Sequence, residues 1–140
     1  MSSQPNPIRL QERRRRRSGD SLVAMRYQLT HVMEEFGLEA CVIATHEGLL
    51  LASPLHLETE QCELLAAIAP ASWRDPDSIV VHRALEAAGV NVDGSMLRVQ
   101  EFSLLGQQML IVTVGTHAAD KERGIFRSVL GIRRILDQAA

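Results

Sequence analysis

The sequence predicts an α+β sandwich in which helices flank one central antiparallel sheet. Apolar positions alternate between a helical spacing of three and four and short β-branched runs. Glycine-bearing turns join those runs in pairs. The resulting order is helix, hairpin, helical middle, hairpin, helix, with no internal repeat, which closes around a single sheet. At 140 residues the chain fits one domain, placed at 20–140, and can bury a core without disulfides or metal.

The opening MSSQPNPIRLQERRRRRSGD holds two prolines, few apolar residues and five successive arginines. Like charges at that density repel, so residues 1–19 read as a disordered basic arm. Residues 1–17 carry six arginines and one glutamate, a balance of +5, which leaves −7 for the rest of a chain whose net charge is −2. An acidic body argues against a broad nucleic-acid-binding face on the domain itself.

Asp20 or Ser21 can cap a first helix whose stripe is Leu22, Met25, Leu29, Val32, Met33 and Phe36, with Gly37 as its C-terminal stop. Leu38 to Ala44 is short, apolar and β-branched in its middle, a buried-strand signature. Thr45-His46-Glu47-Gly48 is turn chemistry, and Leu49 to Ala52 resumes the apolar pattern before Pro54, so the two runs form a hairpin.

Glu58 to Ala71 predicts a second helix, capped by Thr59 and kinked or ended by Pro70. SWRDPDS reads as a loop, and Ile79 to Ala88 as a helix stopped by Gly89, although its SIVV start also suits a strand. Met96 to Leu104 and Met109 to Gly115 form a second hairpin with a turn at Gly106-Gln107. A last helix runs from Asp120 to about Gln138, with Ile125, Val129, Ile132 and Leu136 on its stripe and Arg127, Arg133 and Arg134 on its exposed face.

Cys41, His46, His56 and Cys62 follow one another as C-x4-H-x9-H-x5-C. Structural zinc sites bring their ligands in tighter pairs, and Cys41 sits in an apolar strand where cysteine serves as a small core residue. A nucleophilic thiol needs an exposed, electropositive niche, whereas Cys41 is flanked by Ala40, Val42 and Ile43. No GxSxG, HExxH, phosphate-loop or dinucleotide-glycine pattern is present. The expectation is therefore a protein with no catalytic, metal or cofactor-binding residues.

Two cysteines make no disulfide framework, no signal peptide is recognisable, and no apolar run spans a membrane, so a cytoplasmic location is expected. The small residues around Leu64, Ala67 and Ile68 let another helix approach closely, either within the core or across a dimer interface. Arg13, Arg14, Arg15, Arg16 and Arg17 can neutralise phosphates but lack interleaved aromatics for reading bases.

In this order the pieces resemble the roadblock/dynein light chain family, of profilin-like α/β/α fold. The resemblance covers roughly Ser21 to Gln138. It is carried by the first helix ending in Phe36-Gly37, by EACVIATHEGLLLASP in place of the family's strand, acidic glycine turn and strand, by ELLAAIA, by GQQMLIVTVG, and by the final IFRSVLGIRRIL. The chain departs from the family in three ways. The family usually has five strands, whereas 72–95 reads as helical; His46-Glu47-Gly48 replaces the commoner Asp-x-x-Gly turn; and the arginine arm is not a family feature.

The resemblance implies a non-enzymatic homodimer, joined through sheets and second helices, with Leu64, Ala67 and Ile68 at the interface. It implies a regulator or scaffold of a Ras-like small GTPase, or of a signalling or motor complex. The alternative is a tethering module whose arginine arm binds nucleic acid or an acidic partner. A third reading is a profilin-like sensor domain for a small ligand.

Overall fold

The structure, a computed structural model, describes residues 7–88 and 96–139, and side chains only within 19–88 and 96–138. Its elements are helix α1 (Pro7–Phe36), strands β1 (Ala40–Thr45) and β2 (Leu50–Ala52), helices α2 (Thr59–Arg74) and α3 (Ile79–Ala87), strands β3 (Leu97–Leu104) and β4 (Gln107–Val114), and helix α4 (Ala118–Ala139). The four strands form one antiparallel sheet in the order β2-β1-β4-β3. The two hairpins are thus joined at the centre, where β1 pairs with β4 from Ala40↔Val114 to Thr45↔Met109.

Helices cover both faces of the sheet. Because strand side chains alternate, β1 sends Cys41 and Ile43 to one face and Ala40, Val42 and Ala44 to the other. The first face is closed by α1 and α4 through Met25, Leu29, Val32, Ile125 and Ile132. The second is closed by α2 and α3 through Leu65, Ala66, Ile68, Ala69, Val81 and Leu85. With so few aromatics, the two cores are filled almost wholly by aliphatic side chains.

The first helix is longer than the pattern predicts. It begins at Pro7 instead of Asp20 or Ser21, so the backbone of Arg13–Arg17 is helical and continuous with the domain. Proline suits the first helical position, and arginine, glutamine, glutamate and leucine are good helix formers, a preference the expected charge repulsion does not override here. Leu22, placed on the buried stripe, is instead exposed, while Ser21 is buried. The other end is as expected: Gly37 has φ 62°, and the Leu38 amide donates to the Met33 carbonyl at 3.0 Å, a left-handed C-terminal cap.

The second helix does not end at Pro70 but continues to Arg74, so Ser72, Trp73 and Arg74 are helical rather than part of a loop. Pro70 lacks only the N–H that would reach the Ala66 carbonyl, a loss the packed helix absorbs. Ile79–Ala87 is helical as expected, with Val81 and Leu85 buried. The predicted stop at Gly89 lies outside the described residues.

The second hairpin turns one residue earlier than expected. Leu104 pairs with Gln107, leaving Leu105 and Gly106 as the two-residue loop, at φ 50° and 78°. Two left-handed residues match the right-handed twist of the flanking strands. In the first hairpin β2 carries an irregularity, Ile43 opposing Ala52 and Ala44 opposing Leu50. Among the described residues, no helix is long and apolar enough to cross a membrane.

Candidate functional site

The polar interruption between β1 and β2 is a tight turn. The Gly48 amide donates to the Thr45 carbonyl at 3.1 Å, and the Thr45 amide to the Leu49 carbonyl at 2.9 Å. The Thr45 hydroxyl adds a bond by accepting from the Leu49 amide at 3.1 Å. Gly48 has φ 84° and lies directly against α2: a Cβ there would stand 3.3 Å from both the Cα and the carbonyl oxygen of Ala67. His46 reaches across the sheet, its Nε2 2.9 Å from Oε2 of Glu101 on β3. That nitrogen is shut off from solvent and makes no hydrogen bond. The turn is therefore tied to both α2 and β3.

Cys41 and Cys62 lie in the separate cores on opposite sides of the sheet, both fully buried and both free. This explains why the C-x4-H-x9-H-x5-C spacing does not converge on a metal: His46 is held in the turn and His56 is exposed. The Cys41 Sγ is 3.5 Å from the Ser128 hydroxyl on α4. Burial pushes its thiol from the usual 9.0 up to about 12, against a smaller downward pull from Ser128. Burial also pushes the Cys62 thiol up, opposed by a hydrogen bond with Ser53 and the charge of Arg26.

Neither thiol is a nucleophile at neutral pH, and thiol reagents are expected to label the native chain slowly and the unfolded chain rapidly. The pH dependence follows from the same shift. Because the folded pKa of Cys41 is raised, its contribution is intact below 9, and stability falls as pH rises from 9 towards 12, by about 1.4 kcal/mol per unit. Urea titrations at pH 8 and pH 10 check this.

The three residues expected at a dimer interface occupy different environments on α2. Ala67 is exposed, Leu64 is half-buried against the α2/α3 core, and Ile68, at 7% exposure, is committed to that core. The backbone of Arg13–Arg17 is on α1, and their side chains lie outside the described residues.

Two surface features were not evident from sequence. Among the described residues β3 pairs only with β4, so the outer edge of an eight-residue strand is open. A cavity of about 580 Å³ lies between the end of α1 and α4, lined by Phe36, Phe126 and Leu130 and rimmed by the Glu35–Arg127 ion pair at 3.3 Å. The sequence signal for it was weak, because Phe126 and Leu130 fall off the apolar stripe Ile125, Val129, Ile132 and Leu136 of the last helix. No family model, curated protein or solved structure matches the chain.

Proposed function

We propose that this chain is a non-enzymatic, self-associating interaction module that regulates or scaffolds a Ras-like small GTPase. One observation carries the self-association: the sheet order β2-β1-β4-β3 leaves the whole length of β3 without a partner on its outer side among the described residues. An open edge presents unpaired backbone N–H and C=O groups that a second strand can satisfy. α2 packs against the same sheet and leaves Ala67 exposed, and the roadblock resemblance implies second helices joined across the interface as well as sheets. The GTPase as partner rests on the resemblance of the ordered pieces to the roadblock family.

Ala67→Arg places a long charged side chain on the exposed side of α2, which the resemblance assigns to the interface, without entering the core. Self-association is expected to weaken at least tenfold, on the order of the loss from burying an unpaired charge at an interface. Light scattering with size exclusion reads it. A natural chain that stays monomeric at high micromolar concentration would defeat the dimer. A chain that dimerises but leaves GTP hydrolysis and nucleotide exchange of a co-purifying GTPase unchanged, and does not bind it, would defeat the partner.

A further inference from the structure

Both hairpin turns leave the sheet at the same end. Thr45, the last residue of β1, pairs with Met109 near the start of β4, so the turn at 46–49 stands beside the turn at Leu105-Gly106. Each carries an exposed leucine: Leu49 is 65% exposed and Leu105 76%. Leu105 also holds φ 50°, a left-handed conformation that suits Gly, Asn or Asp and is unusual for a bulky apolar side chain. It contributes neither burial nor an easy turn, and strain kept at an exposed position points to function. We propose that this end of the molecule docks on a bilayer carrying anionic lipid, with its arginines against the headgroups and Leu49 and Leu105 inserted between them.

The arginines reach this end because of how the outer helices run. The Gln28 side chain lies against Gly131, whereas Glu35 pairs with Arg127, so α1 and α4 are antiparallel. The end of α4 therefore lies beside the early part of α1. There Arg133 donates twice to the Ser103 carbonyl, at 3.1 and 3.4 Å, at the foot of the Leu105 turn. On the other flank, Arg26 donates to the Ser53 carbonyl and Thr30 accepts from the Leu55 amide, so α1 runs in the same direction as β2. Counted back from the Arg26 contact, at about 1.5 Å per helical residue and about 3.3 Å per strand residue, Arg17 and Leu49 each stand about 13 Å towards the tips. The helical backbone of Arg13–Arg17 thus begins level with the first tip and continues past it.

Charge and apolar side chains are then arranged as a bilayer surface requires. Residues 1–17 carry a balance of +5, and Arg133 and Arg134 add exposed positive charge, against Asp20, Glu47 and Asp137 at the same end. Leu22 and Val23, 40% and 48% exposed, follow the arginines on α1, so the departure of Leu22 from the buried stripe adds apolar surface here. A basic helical segment beside exposed apolar side chains suits peripheral membrane binding, and each arginine near an anionic surface adds attraction. A single leucine on a protruding tip offers a folded partner little area, whereas the headgroup layer admits it. Nucleic acid would use the arginines but not the leucines.

The docking belongs to one copy and requires neither self-association nor a GTPase. The full chain is sedimented with large unilamellar vesicles of phosphatidylcholine containing about 30% phosphatidylserine, at constant ionic strength. Saturable binding is expected, at least tenfold tighter than to phosphatidylcholine alone. Replacing Arg13, Arg14, Arg15, Arg16 and Arg17 together by glutamine, itself a good helix former, is expected to weaken it at least tenfold. Leu105→Asn is the sharper variant, because asparagine tolerates the left-handed conformation and the change leaves the core untouched. It is expected to keep the natural thermal stability and, combined with Leu49→Asn, to weaken binding at least fivefold.

Failure to sediment, or equal binding to the two kinds of vesicle, overturns the docking. Unimpaired binding of the double leucine variant overturns the insertion of the tips. Tighter binding to a short DNA duplex than to the vesicles, at equal salt, would assign the arginines to nucleic acid and overturn the bilayer as partner.

Discussion

Replacing Leu110 or Ile111 with alanine is expected to destabilise the fold by about 2–5 kcal/mol in either case. Both side chains are fully buried, and both belong to β4, which is hydrogen-bonded to β1 on one side and β3 on the other. They are sequence neighbours that point into different cores: Ile111 towards α1 and α4, Leu110 towards α2 and α3. A central strand pinned on both sides cannot move in to fill the space left behind, so the cavity term adds fully to the lost transfer energy. Either variant would remove a large share of an ordinary domain's margin of roughly 5–15 kcal/mol. Urea unfolding measures the loss. Phe126→Ala, at 68% exposure on α4, is the matched control and is expected to stay within about 0.5 kcal/mol. If the two core variants cost no more than that control, the helices are not packed on the sheet as described.

Gly48→Ala is expected to cost about 2–3 kcal/mol, because it incurs two penalties together. At φ 84° an L side chain is strained whatever its surroundings. The added methyl would also stand 3.3 Å from the Cα and carbonyl oxygen of Ala67, backbone atoms that cannot rotate away. Gly37→Ala separates the two effects. Gly37 has φ 62°, and a Cβ there meets nothing within 4 Å, so only the conformational cost of about 1 kcal/mol remains. Equal losses for the two variants in chemical denaturation would show that the turn does not press on α2.

Much of the local structure was legible in the sequence. Gly37 as a helix cap, Thr45-His46-Glu47-Gly48 as a turn, Ile79–Ala87 as a helix and the apolar stripe of the last helix all depend on residues within a turn or two of one another. The errors were also local, and each has a competing cause. Pro70 did not end α2, because packing of Cys62, Leu65, Ala66 and Ala69 against the sheet outweighs one lost hydrogen bond. The arginine run did not exclude helix, because arginine's helix propensity and a proline at the first position favour it.

The candidate sites were much less legible. The cavity between α2, β3 and α4 was not legible, because Trp73, Arg98 and Lys121 lie far apart in the sequence and nothing in their own neighbourhoods points to the others. Ile68 was grouped with Ala67 because both lie on the small-residue run of the second helix, yet their side chains point to opposite environments. The continuous apolar run of β1 gave no clue to which core each residue would join, as a strand buried on both faces loses its alternation.

The sequence by itself therefore determined the α+β class, the order of elements, the Gly37 cap, the Thr45–Gly48 turn and the burial of Cys41, since periodicity and turn chemistry act over a few residues. Only the tertiary structure decided that β1 pairs with β4, that the two cysteines face opposite cores, that β3 is left with an open edge, and that a lysine, an arginine and a tryptophan share one cavity. Those outcomes depend on which apolar faces pack together across the whole chain, and that is a non-local balance of burial that no short stretch of sequence encodes.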